Sequence, residues 1–402
     1  MSKMTALAFL GVAHFLDHFF LLIFPTAVLF IHRDWGLSYD QALAFGTAAF
    51  AAFAVGTLPA GWLGDKWGSL RLMRVYFPAL GIASIATGFA DGPVMLMAGL
   101  TLVGLAAAIY HPVANNLIVT LAEKRGRALA VNGVCGNFGV AAAALVTGLL
   151  ASAYGWRVAF IVPGIISLAI GIAFLWVSWG TEFEQRADAR KTDRPAGRLM
   201  MPQGLPLLLF ALALIGLFGG LVFNGVTVAL PQLLVERMAE FDVSLADVGI
   251  IASLIFAVAG FAQLPVGYLL DKIGPRKILL VLVALEVPLL VYIGFGHPVA
   301  TPFALAILVM MIFGEVPVSA WLIGHYIGPN WRARVYALHT LLGLGVGAAV
   351  VPLISVTHGL TADMGMIFAL MAPMAVGVWI AAFLLPKSDS DPRFASLLAA
   401  KA

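Results

Sequence analysis

Gly61-Trp-Leu-Gly-Asp65-Lys-Trp-Gly68-Ser-Leu-Arg71 returns as Gly267-Tyr-Leu-Leu-Asp271-Lys-Ile-Gly274-Pro-Arg276-Lys277, displaced by 206 residues in a chain of 402. Each copy interrupts a long apolar run with a short charged turn. The same helix-turn-helix junction is built twice, once per half, which marks an internal duplication. A second pair of segments keeps nearly the same offset: Lys124-Arg125-Gly-Arg127 and Asn330-Trp-Arg332-Ala-Arg334, 207 residues apart.

Outward from these turns the chain is 62% hydrophobic and 11% charged, with a mean hydropathy of +1.01. A water-soluble domain of this size cannot hide that much apolar surface, so the expected solvent is lipid. At roughly 20 apolar residues per crossing, the sequence predicts helices over 5–30, 40–62, 72–90, 93–119, 127–151 and 157–179, then 205–230, 244–269, 277–296, 301–327, 334–356 and 363–386. The expected fold is all-α: a membrane protein of twelve transmembrane helices in two six-helix halves, 1–180 and 205–402. Residues 181–204, with Glu182, Arg186, Lys191 and Arg194, form the polar cytoplasmic linker between them.

With the N-terminus inside, every Lys and Arg except Arg33, Arg157 and Arg237 falls on a cytoplasmic segment. That pattern predicts an inner-membrane protein with both termini in the cytoplasm. The net charge of +3 then reports topology and no nucleic-acid partner. The first apolar stretch is too long for a signal-peptide core and is read as retained. The lone Cys135 excludes an intrachain disulfide. There is no phosphate-binding glycine loop and no nucleophile with a base, so the chain reads as no enzyme and needs no cofactor.

The GxxxDxxGxxR pattern of Gly61, Asp65, Gly68 and Arg71, with its echo in the second half, resembles the signature loop of the major facilitator superfamily, and the likeness extends over essentially the whole chain. It implies that the loop of one half braces the other. Asp65 would then face Arg332 and Arg334, and Asp271 would face Arg125 and Arg127, which makes Asp65, Arg71, Asp271, Arg276, Arg127 and Arg334 gating residues. Gly68 and Gly274 suit a turn that a Cβ would strain, while Gly61 and Gly267 admit close helix contact. His14-Phe-Leu-Asp17-His18, Tyr110-His111-Pro112 and Cys135-Gly136-Asn137-Phe138-Gly139 resemble the fosmidomycin-resistance branch of drug exporters. Val113 stands where that branch carries an acidic residue, and Asp17-His18 where it carries Asn-Asp.

An acidic residue at the centre of a membrane helix costs roughly 2.5–3.5 kcal/mol on insertion scales, so it needs a partner, a cavity or a function. Asp17 falls roughly 18 Å into the first helix, near mid-membrane. His14 shares a face with Asp17 and His18. These three, with Glu315 in the second half, are the expected proton-coupling groups; the alternative is a buried pair holding helices together. Phe15, Tyr110, His111, Asn115, Asn137, Asn224, Trp321 and His325 are the expected substrate contacts. Glu286 is read as a structural carboxyl in a peripheral helix. No Lys or Arg lies in mid-helix, so a strongly anionic cargo is disfavoured.

The expected function is proton-coupled secondary transport of a small neutral, zwitterionic or cationic organic molecule by alternating access, in a monomer whose other partners are protons and the lipid bilayer. The alternative is transport of a transition-metal ion or metal chelate. His14, Asp17, His18 and His111 are suitable donors, but helix spacing cannot show that they converge, so no metal ligand is assigned. A membrane receptor that has lost transport is a third reading.

Overall fold

The computed structural model describes residues 2–122, 125–179, 203–241, 243–296, 300–327, 329–395 and 397; at 65, 115, 116, 119, 120, 125–127, 129, 130, 271 and 329–334 only the backbone is described. The linker expected over 181–204 lies almost entirely outside these residues. In the first half span 1 is Lys3–Asp34, span 2 Tyr39–Ala44 with Thr47–Trp67, span 3 Ser69–Gly88, span 4 Pro93–Ala107 with Tyr110–Leu121, span 5 Arg125–Tyr154 and span 6 Trp156–Ser178. In the second, span 7 is Leu205–Arg237, span 8 Leu245–Gly260 with Gln263–Ile273, span 9 Pro275–Phe295, span 10 Thr301–Tyr326, span 11 Pro329–Gly343 with Gly347–Thr361 and span 12 Gly365–Ala382. Eleven of them are long and apolar enough to cross a membrane. Span 3 is the other; it carries Arg71 and Arg74 in its first turns.

Four spans are broken, two of them one turn before a proline. Pro112 and Pro265 have no N–H to offer the carbonyls of Ala108 and Phe261, where spans 4 and 8 are interrupted. Span 2 breaks at Phe45–Gly46, and span 11 breaks between Gly343 and Gly347 with Gly345 in the gap. Gly46 keeps helical angles and serves by its missing side chain, since a Cβ would meet the Phe24 ring at 2.7 Å; at Gly345 a Cβ would meet the Leu341 carbonyl oxygen at 2.3 Å.

The packing repeats with the chain. Span 1 lies on 5, 2 on 4 and 3 on 6, then 7 on 11, 8 on 10 and 9 on 12. The halves meet along spans 5 and 8 and along spans 2 and 11. The duplicated turn is backed by geometry: Gly68 and Gly274 both adopt positive φ, +101° and +79°. Gly61 faces Pro112, with a would-be Cβ 3.5 Å from its side chain, whereas no described atom lies within 4 Å of that position at Gly267. Outward faces carry large apolar groups such as Trp176 and Phe303, while Asp17 and Glu286 are buried, the arrangement lipid demands.

Tight glycine contacts hold the helix pairs. At Gly104 in span 4 a Cβ would sit 2.0 Å from the carbonyl oxygen of Ala49 in span 2, and backbone cannot yield as a side chain does. Gly104→Ala is expected to lose about 1–3 kcal/mol through overpacking, read as a lower thermal midpoint in detergent. An unchanged midpoint would mean that spans 2 and 4 slide apart freely.

Candidate functional site

The first half gathers its ionisable groups around span 1. Asp17 is 0% exposed, and its Oδ2 lies 3.2 Å from His111 Nε2 of span 4. The two atoms are close without being aligned for a hydrogen bond, so both Asp17 oxygens and His111 Nε2 are buried without a hydrogen-bond partner. His14 and His18, one helical turn apart on span 1, bring their rings to 5.0 Å, and His111 joins them at 5.3 and 5.6 Å.

The surroundings fix His14 firmly. Its Nδ1 is 2.7 Å from the Asn132 carbonyl of span 5, while Nε2 is buried and unpartnered. The Asn132 side-chain amide nitrogen stands 3.0 Å from the same Nδ1, so Asn132 offers that ring nitrogen both an acceptor and a donor. Tyr110 stacks on the ring at 4.8 Å and donates its hydroxyl to Asn132 Oδ1 at 2.9 Å. Gly136 makes room: a Cβ there would meet His14 Nε2 at 2.6 Å. Gly139, one turn on, lets span 5 press against the Phe15 backbone. Tyr76, which the sequence did not single out, donates to the Ala13 carbonyl at 2.9 Å and seals the far side.

In the second half Glu286 of span 9 and Glu315 of span 10 are neighbours close enough for their carboxyl groups to interact, and each keeps one buried oxygen without a hydrogen-bond partner. Two carboxyls can hydrogen-bond each other only with a proton between them. Gly219 of span 7 opens space beside Glu315; its would-be Cβ is 3.6 Å from Oε2. Glu286, read from the sequence as a structural carboxyl in a peripheral helix, neighbours Glu315, one of the expected proton-coupling groups.

The remaining expected contacts are spread out. Asn137 is buried with an unpartnered Nδ2, on span 5 beside Gly260 of span 8. Asn224 donates to the carbonyls of Gly220 and Gly343 at 2.8 and 3.0 Å, joining spans 7 and 11. Trp321 stacks on His325 at 4.3 Å, and His325 reaches Asp389 of the C-terminal segment at 3.0 Å, at the end of span 10 away from Glu315. Phe15 stacks on Phe19. The side chains of Asn115, Asp65, Asp271, Arg127 and Arg334 lie outside the described residues. Arg71 is exposed in the first turn of span 3, and Arg276 lies over the Phe383 ring at 5.3 Å.

A third cluster joins the halves at the end of the bundle opposite the N-terminus. His358 of span 11 is 3.0 Å from Asp40 Oδ1 of span 2 through Nδ1 and 2.9 Å from Glu236 Oε1 of span 7 through Nε2. Only an imidazolium donates through both nitrogens. Ser355 adds a hydrogen bond to the Asp40 carbonyl at 2.7 Å. Nothing in the sequence links Asp40 to a histidine 318 residues away; the fold alone does. His358→Ala is expected to release this end. A cysteine placed there should react with a polar maleimide several-fold faster than in the parent chain, and equal rates would show that the bridge holds nothing shut.

Two six-helix halves in lipid, with ionisable groups turned inward at mid-depth and a bridge across one end, define a membrane transporter. The chain belongs to the Major Facilitator Superfamily, whose family profile matches residues 7–239 and 212–400. It is 30% identical over 305 residues to the multidrug resistance protein MdtG of Yersinia enterocolitica, covering 72% of this chain and 70% of that one. It is 29% identical to a protein of Cupriavidus pinatubonensis named "Probable 4-methylmuconolactone transporter", covering 66% and 63%. The puromycin resistance protein pur8 of Streptomyces alboniger is 28% identical, covering 89% and 68%. In fold it matches an inward-facing bacterial homologue of the human lysosomal transporter Spinster, with a TM-score of 0.69 at 16% identity over 98% of both chains.

Proposed function

We propose that this chain is a proton-coupled secondary transporter of a small neutral, zwitterionic or cationic molecule. The observation that carries the reading is the Glu286–Glu315 pair: two interacting carboxyls, Glu286 at 1% exposure, in a half that shows no histidine cluster among the described residues. A proton held between them neutralises a charge that lipid would penalise, and its release on one side ties proton movement to a change of conformation. The two halves rock about spans 5 and 8 and spans 2 and 11, with the Asp40–His358–Glu236 bridge holding one end shut. One chain contains both halves, so a monomer suffices.

The distribution of Lys and Arg supports placing both termini in the cytoplasm and the chain in the inner membrane. The named relatives move or resist compounds of different chemistry, so cargo is sought by thermal shift at two pH values rather than by analogy. The test is flux into proteoliposomes: a hit should accumulate or deplete with an imposed pH gradient and stop when an uncoupler collapses it. Flux indifferent to the gradient would end the coupling claim.

A further inference from the structure

We infer that His14, His18 and His111 form a binding site for a divalent transition-metal ion, with Asp17 supplying the compensating charge; that the ion is cargo rests on the transport reading above. The donor atoms of the three histidines all lie within 4.8 Å of one another. At a Zn–N distance of about 2.0–2.1 Å, the three ring centroids of a tetrahedral site fall about 5.2 Å apart. The observed sides are 5.0, 5.3 and 5.6 Å. The nitrogens themselves must close to about 3.4 Å from within 4.8 Å, so His18 and His111 must turn toward a His14 ring already held by Asn132 and Tyr110.

Three further observations favour an ion over simple packing. Buried polar atoms in a folded protein are nearly always satisfied, yet here His14 Nε2 and Asp17 Oδ1 are buried without a partner, and Asp17 Oδ2 and His111 Nε2 have only each other, 3.2 Å apart without a hydrogen bond. Asn132 holds His14 Nδ1 through its backbone carbonyl at 2.7 Å and its side-chain amide at 3.0 Å, an outer-shell contact of the kind that orients a ligating imidazole. Asp17 is wholly buried, and with no Lys or Arg in mid-helix its one cationic candidate among the described neighbours is His111; a divalent cation on the histidines would supply the charge while leaving His111 neutral. Imidazole donors select zinc, cobalt or nickel over magnesium and calcium, which prefer oxygen. His18 and His111 keep partial exposure, giving an ion a way in. The ion arrives free or already held by a small organic chelator, since imidazoles recognise either through the same open coordination positions.

The test uses the purified full-length protein titrated with Co2+. Saturable binding of one ion per chain, with the intense visible absorption of tetrahedral cobalt and displacement by Zn2+, is expected. His14→Gln and His111→Gln should each weaken binding at least about tenfold, whereas His339→Gln, a buried histidine elsewhere, should not. Each variant is compared with the parent by elution and thermal midpoint, so misfolding is recognised; should both fail to fold, His18→Gln is used. Absence of saturable Co2+ binding, or binding that survives loss of the three histidines, overturns the site. Labelled zinc is then offered to vesicles under a pH gradient, alone or as its citrate or histidine complex. Accumulation in one arm identifies the transported form, and none in any arm overturns the cargo assignment. Should organic cargo still follow the gradient while metal neither binds nor moves, only this inference falls. Metal binding without any gradient-driven flux instead removes the coupling reading.

Discussion

Glu315→Gln should leave a folded protein that no longer accumulates cargo against a pH gradient, with the gradient-driven component reduced at least about tenfold. The substitution keeps size and hydrogen-bonding capacity while removing the group proposed to accept and return a proton. Glu286, buried at 1% exposure, then faces a neutral amide instead of a second carboxyl, so the pair can no longer exchange one shared proton. Exchange of cargo at equal concentration and equal pH on both sides should persist within about twofold, because the rocking interface and the histidine cluster are untouched. That split separates a coupling residue from one that merely holds spans 9 and 10 together, whose loss would depress both rates and the thermal midpoint. Full gradient-driven accumulation in Glu315→Gln would refute the assignment.

The second large effect is expected at the seam between the halves. Gly249 of span 8 lies against span 5, where a Cβ would stand 2.7 Å from the Ala144 carbonyl and 3.2 Å from Gly148 Cα. Gly249→Val cannot be accommodated while spans 5 and 8 touch there. Unlike Gly104, however, it sits between parts that can separate, so the strain is relieved by moving one half and not by unfolding. The population should shift toward chains open at the end that carries Asp40 and His358. Labelling at that end should rise while transport falls by about tenfold or more. Gly267→Ala, with no described atom within 4 Å of its would-be Cβ, is the matched control and should behave like the parent. A Gly249→Val protein that transports normally would mean that the seam never closes in the working cycle.

The fold was largely legible because lipid imposes a length on each apolar run and because the duplicated turn counts the halves. The span ends were less so: 205–230 was expected where the helix runs Leu205–Arg237, since helical hydrogen bonding continues past the apolar stretch until a cap intervenes. A break at Pro112 could be anticipated from its missing donor; one at Gly46 could not, because it depends on Phe24 of span 1 filling the space beside it. The site divides in the same way. His14, Asp17 and His18 share a helix and their spacing places them together, but the approach of His111 depends on how span 4 is rotated against span 1, a tertiary fact. The contact between Glu286 and Glu315, like that between Asp40 and His358, depends on neighbouring spans and leaves no local trace.

The interruptions at Ala108, Phe261, Phe45–Gly46 and Gly343–Gly347 bear on how many shapes the protein visits. A continuous helix is a lever: tilting one end obliges the other to follow. A span cut near its middle is two short levers on a soft joint, so its outer piece can swing before the inner one has moved. Three of the cuts fall in the spans that line the contact between halves, 2, 8 and 11, and the remaining one lies three residues before His111 in span 4. Such joints would let both mouths shut at once around a cargo, so a sealed intermediate is expected in the transport cycle proposed above.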